Sequence, residues 1–238
     1  MSTVPHPTPP ARRSEPPELY SGDEMTQAEF QRIYERMPED FKAELIGGIV
    51  YVSPPVGKRH GMTHMPLDTL LFTYEANTPG VETANNATVI LGPKGQPQPD
   101  AYVRIVQEAG GRSKASEDDY YIVGPPELVV EMAHATRAID FHRKRQDYTR
   151  YGVLEYLVLN LEDSTLHLFD LPADREVAPD ADGIVRVRNF PGLWVDPAAL
   201  FGRDLNRLMA MLQQGLASPE HAEFVRKLAA AGPGKAMS

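Results

Sequence analysis

The sequence contains no cysteine. That excludes disulfides, zinc–thiolate sites and cysteine nucleophiles. No apolar run reaches the length needed to cross a bilayer. The first residues, Met1-Ser2-Thr3-Val4-Pro5-His6-Pro7, lack the apolar stretch of a secretion signal. The expectation is a soluble, cytoplasmic protein with no membrane partner. Basic charge is also short: 24 Lys and Arg stand against 33 Asp and Glu, a net of −9. Nucleic-acid binders draw much of their affinity from neutralising phosphates, so this balance counts against that class. It leaves room for a local basic face, for which Arg137, Arg143, Lys144, Arg145 and Arg150 are candidates.

What is present suits one core with appendages: 238 residues, of which 42% are hydrophobic. Residues 1–23 are rich in proline and read as an extended, disordered leader. The main domain is expected over 24–203, with C-terminal helices and a small-residue tail over 204–238.

Local signals place the elements. Thr26 and Glu29 read as the capping box of a first helix. Ala43–Ile46 and Ile49–Val52 flank Gly47-Gly48, a hairpin signal. A helix is expected over 59–77, with Met62, Met65, Leu67, Leu70, Leu71 and Tyr74 on its core face. His60 and His64 fall four apart on it, a chelating spacing. No glutamate lies between them as in a zinc-protease helix, so capping or surface roles are expected. Strands follow at 81–91, broken near Asn85-Asn86, then at 100–106 and 128–130. A helix over 137–151 closes on Gly152, and strands follow at 156–159, 165–169 and 184–190. Pro191–Val195 closes the sheet region, and two helices are expected at 205–216 and 219–231. The order predicts an α/β domain with a central mixed sheet flanked by helices. In it the 128–130 and 156–159 strands are joined across a helix by a right-handed crossover.

Two acidic residues sit where apolar ones are the default: Asp100 opens an apolar run, and Glu131 lies near the end of Leu128-Val129-Val130. A buried carboxylate must be paired, hydrogen-bonded or bound to a metal, because an unpaired buried charge costs several kcal/mol, roughly. Asp140, Lys144 and Tyr148 recur every four residues on one helix face. Two carboxylates on neighbouring strands with a helix lysine suit a divalent cation and a phosphate. The same spacing suits a structural ion pair of Glu131 with Lys144 or Arg137.

Glu44-Leu45-Ile46-x-Gly48, Pro99-Asp100, Gly124-Pro-Pro-Glu-Leu-Val-Val-Glu131, Asp140-x3-Lys144-x3-Tyr148 and Gly152-Val-x-Glu-Tyr156 together carry a resemblance. In motif order, over about 41–169, the chain resembles the Uma-type family of "putative restriction endonucleases" in the PD-(D/E)XK nuclease superfamily. Asp180-Ala-Asp-Gly-Ile184 and Phe190-Pro-Gly-Leu-Trp-Val-Asp196 extend the resemblance. It implies a restriction-endonuclease-like core and an endonuclease dependent on Mg²⁺ (or Mn²⁺). Asp100 and Glu131 would be metal ligands, and Asp100, Glu131 and Lys144 the catalytic set. Glu44 and His60 would be accessory, and Tyr148 structural. The superfamily's usual lysine, two beyond the Glu, would fall at Ala133 and is absent; the helix Lys144 matches the family's substitute. Ala133-His134-Ala135-Thr136 departs from the family's common Ser-Pro-Ser. The implied partner is nucleic acid, with DNA expected, and a homodimer would place one site on each strand. Two alternatives stay open. One is a catalytically weak nuclease-fold protein serving as an interaction or assembly module. The other is a metal-dependent hydrolase of a smaller phosphoester.

Overall fold

The computed structural model describes residues 18–53, 55, 57–133 and 139–231. Helix α1 (Gln27–Tyr34) starts at the Thr26/Glu29 capping box, with both reciprocal hydrogen bonds made. Strands β1 (Ala43–Ile46) and β2 (Ile49–Val52) form the expected hairpin. Both of its turn glycines have positive φ, 61° at Gly47 and 85° at Gly48, which glycine adopts without steric cost. Leu19, Phe30, Leu45 and Val50 form a small core under this hairpin. Most of the expected leader lies outside the described residues, but Leu19 is buried, so the packed chain begins before Asp23.

Next come α2 (Lys58–Ala76), β3 (Val81–Asn85), β4 (Val89–Ile90), β5 (Ala101–Ile105), β6 (Lys114–Ala115), β7 (Ile122–Val123) and β8 (Leu128–Ala133). A π-helical segment, Ile139–Lys144, runs into α3 (Arg145–Tyr151), which ends at Gly152 with φ 89°. The expected helix start at Arg137 lies outside the described residues. The chain finishes with β9 (Glu155–Asn160), β10 (Thr165–Asp170), β11 (Arg175–Val177), β12 (Val185–Arg186), β13 (Trp194–Val195), α4 (Pro197–Gly202), α5 (Leu205–Leu216) and α6 (Pro219–Ala231).

The central sheet has six strands in the order β11-β10-β9-β8-β5-β3. Its β8–β9 pair is parallel and the others antiparallel, so the expected mixed α/β sheet is present. One face buries Leu67, Leu71 and Tyr74 of α2 together with Leu208, Leu212 and Leu228 of the last two helices. The other face buries Val129, Tyr148, Tyr156, Val158 and Phe169.

Two sequence expectations need correction. Met62 and Met65 are exposed rather than in the core. At 100° per residue, His60, His64, Leu67, Leu71 and Tyr74 share one face of α2 and the two methionines lie opposite. The 184–190 and 191–195 segments pair only with each other through β12 and β13, outside the main sheet. Of the residues named for a basic face, Arg137 lies outside the described residues and Arg143 is exposed. Lys144 is buried, Arg145 pairs with Asp174 and stacks on Phe169, and Arg150 pairs with Asp147.

Candidate active site

Strand alternation puts Val129, Glu131 and Ala133 on one face of β8. The β5–β8 register aligns Ala101 with Val130, so Asp100, just before β5, comes beside the stretch of β8 that holds Glu131 and Met132. The Met132 N–H donates to Asp100 Oδ2 at 2.6 Å, which ties the start of β5 to β8. Helix α2 brings His60 Nε2 to 2.9 Å from Asp100 Oδ1 and His64 Nε2 to 2.9 Å from the Asp100 carbonyl. His64 also lies 3.2 Å from Asp68 Oδ1. The expectation of capping or surface roles for these histidines is therefore corrected: both turn toward Asp100, and their ligand atoms lie within 4.8 Å of one another and of its carboxylate.

The hairpin supplies the next carboxylate. The Gly47 N–H donates to Asp147 Oδ2 at 2.5 Å, which fixes the turn against α3. Glu44 on β1 is thereby buried beside Lys144, with Oε2 at 2.9 Å from Nζ, while its Oε1 accepts the Gln98 N–H at 2.8 Å. Lys144 Nζ also donates to Glu131 Oε1 at 2.9 Å and lies 3.6 Å from Asp140 Oδ1. Tyr148 Oη donates to the same Glu131 oxygen at 2.8 Å. Asp100, Glu131, Lys144, Glu44 and His60 thus lie in one cluster. Asp140 and His64 join it without having been placed in the site from sequence; their i,i+4 partners Lys144 and His60 were the available signal.

Burial opposes charge throughout the cluster. It pushes Glu131 well above the usual carboxylate range, partly offset by Lys144 and reinforced by Glu44, Asp100 and Asp140. Burial also works against Lys144, but Glu131, Glu44 and Asp140 outweigh it and hold the ammonium firmly protonated. For Asp100, burial is outweighed by the hydrogen bond and charge of His60 and by the Met132 N–H, so its carboxyl sits low. The hydrogen bond to Asp100 raises His60 in turn.

The family model "Uma2: Putative restriction endonuclease" matches residues 27–199. The chain belongs to the Uma2 family. It is also similar to the crystal structure of a "putative nuclease belonging to DUF820" from Anabaena variabilis ATCC 29413, with a TM-score of 0.59 and 14% sequence identity. That match covers 72% of this chain and 96% of the other. At such identity the likeness establishes the fold alone. No curated protein matches the sequence. Among the described residues, no helix is long and apolar enough to cross a membrane.

Proposed function

We propose that this Uma2 protein is a metal-dependent endonuclease that hydrolyses phosphodiester bonds of nucleic acid, with DNA as substrate. The observation that supports this most is the charge of one buried cluster. Four carboxylates, Glu44, Asp100, Glu131 and Asp140, gather around Lys144 and His60. A divalent cation would offset the burial that opposes ionised Glu131 and the carboxylate charge of Glu44 and Asp100 beside it. Carboxylate oxygens with a nearby imidazole are a donor set that fits Mg²⁺ or Mn²⁺. Asp100 and Glu131 would hold the ion, with Glu44 and His60 as accessory groups. Bound there, it would polarise the phosphodiester and stabilise the departing oxygen.

The chain's own residues have distinct tasks in this reading. The Met132 N–H and His60 fix the Asp100 carboxylate, and Tyr148 orients Glu131. Lys144 is the cation that can turn from its carboxylates toward a phosphate whose negative charge grows in the transition state. Two copies related by a two-fold axis would place one site on each strand of a duplex.

One observation favours the interaction-module alternative. Lys144 is only 5% exposed and already engaged by Glu131 and Glu44, while Ala133 stands where the superfamily's lysine is usual. Plasmid nicking decides between them. The purified protein should nick supercoiled DNA with Mg²⁺ or Mn²⁺, and Asp100→Ala should abolish nicking without unfolding the chain. A wild-type protein inert across metals and substrates would leave the interaction module as the better reading.

A further inference from the structure

A cavity of about 590 Å³ adjoins the cluster. Its lining includes four aromatic rings, from Tyr34, Phe41, Tyr120 and Tyr121. Its charged lining is wholly acidic, from Glu35, Glu39 and Asp118, with no lysine or arginine among the described residues that form it. Gln98 links cavity and cluster. It lines the cavity, its N–H is held by Glu44, and its side-chain amide donates to the Asn86 carbonyl at 2.6 Å. Asp100 is two residues further on, a span of at most about 7 Å.

Tyr120 is the ring without an evident packing duty, at 76% exposure. Its position is nevertheless well determined. Ser116 Oγ accepts the N–H groups of Tyr120 and Tyr121 at 3.1 and 2.9 Å and donates to Asp118 Oδ1 at 2.6 Å. The Tyr120 ring stands edge-on to Tyr121 with centroids 4.8 Å apart. The Tyr121 hydroxyl accepts from Gln31 at 2.8 Å. A fixed, outward-facing ring is a stacking platform at little entropic cost.

The lining excludes one class of occupant and suits another. Carboxylates repel a phosphate backbone, so the sugar–phosphate chain is not what the cavity takes. A nucleobase offers a π-face to the tyrosines, and an exocyclic amine is a donor that carboxylates accept. We infer that this cavity is a subsite for one unpaired nucleobase bearing an exocyclic amine, flanking the phosphate engaged at Asp100. The assignment of that phosphate rests on the nuclease reading; the base subsite does not require cleavage. The substrate is then locally single-stranded or has a base turned out of its stack at this point, because a paired base presents neither free face.

Nucleosides test the cavity apart from the cluster, since they carry no phosphate. Adenosine, cytidine and uridine are titrated into the full-length protein without added metal, with saturation-transfer NMR as readout. Adenosine and cytidine should bind, and uridine, which lacks the amine, about tenfold more weakly, the order of one base-edge discrimination. Tyr120→Ala should weaken adenosine binding about tenfold, as expected for one lost stack, with an unchanged melting temperature. Glu35→Gln combined with Glu39→Gln should narrow the gap between cytidine and uridine. Nucleoside binding indifferent to Tyr120→Ala would overturn the subsite. So would an absence of nucleoside binding alongside Tyr120-dependent binding of tetramethylammonium or a lysine-rich peptide, since aromatic and acidic linings also hold cations. If nucleosides fail to bind while Asp100-dependent nicking persists, the subsite alone falls. If they bind as described and no nicking occurs, the subsite stands and the nuclease reading falls.

Discussion

Strands β8 and β9 place buried carboxylates at two ends of the sheet, and the two groups are neutralised in different ways. Glu127 and Glu155, at the strand starts, are saturated by amides. Glu127 accepts the Ile105 and Arg112 N–H groups, and Glu155 accepts those of Arg188 and Asn189 plus the Asn189 side-chain amide. Each carboxylate there pins a loop to the sheet through amide donors, and Glu127 also lies within electrostatic reach of the Arg104 guanidinium. At the other end Glu131, Glu44 and Asp140 converge on one ammonium, and Asp100 leans on His60. Amide donors satisfy lone pairs one by one, whereas shared cations leave a surplus of negative charge. Burial by itself therefore does not mark a site. Buried carboxylates that share one ammonium do.

The largest test of that contrast is Lys144→Ala. Its removal leaves Glu131 and Glu44 without their shared cation, so the metal-free protein should lose about 3–5 kcal/mol of stability by chemical denaturation. If Lys144 also meets the phosphate, cleavage should fall by two to three orders of magnitude, about 3–4 kcal/mol in barrier. Metal affinity should hold or rise, because a neighbouring positive charge is gone. A large stability loss with an unchanged cleavage rate would make Lys144 structural and group it with the amide-held end.

The second test strikes the opposite end. In Glu155→Gln, either orientation of the new amide points an NH₂ at an N–H donor, from Arg188 or from Asn189. A loss of about 2–3 kcal/mol is expected. It should be the same with and without Mn²⁺, because no cation is involved. A destabilisation that Mn²⁺ reverses would show that the two ends are coupled and that the contrast is false.

Much of the fold was legible because its signals are local. The capping box at Thr26, the Gly47-Gly48 hairpin and the Gly152 stop each act within a few residues. The candidate site was legible in part for another reason: Asp100 and Glu131 break apolar runs, and a charge in such a run stands out. Three kinds of feature were not legible. Short elements such as β11 and α4 carry too few residues to show a period. That His60 and His64 meet Asp100 depends on how α2 packs against the start of β5, which no local pattern gives, whereas the period of α2 already set Met62 and Met65 opposite Leu67, Leu71 and Tyr74. The loop-pinning roles of Glu127 and Glu155 carry no local signal, because their amide partners lie 15 to 34 residues away in sequence.

The finest test concerns His60, whose imidazole is the ionisable group hydrogen-bonded to the Asp100 carboxylate. Its hydrogen bond to Asp100 raises its pKa in the folded chain above the unfolded value of about 6.5. The folded state therefore holds this proton more tightly than the unfolded state does. The resulting stability is fully present below pH 6.5, about the unfolded value, and is lost as pH rises through the folded value. Gln at position 60 can still donate to Asp100 but cannot titrate, so His60→Gln should flatten the melting curve's decline above neutral pH. Saturating Mn²⁺ should flatten it as well in the wild type, because a cation beside Asp100 favours the neutral imidazole. A decline that survives His60→Gln would mean that another group titrates there, and Asp100 would not owe its low pKa to this histidine.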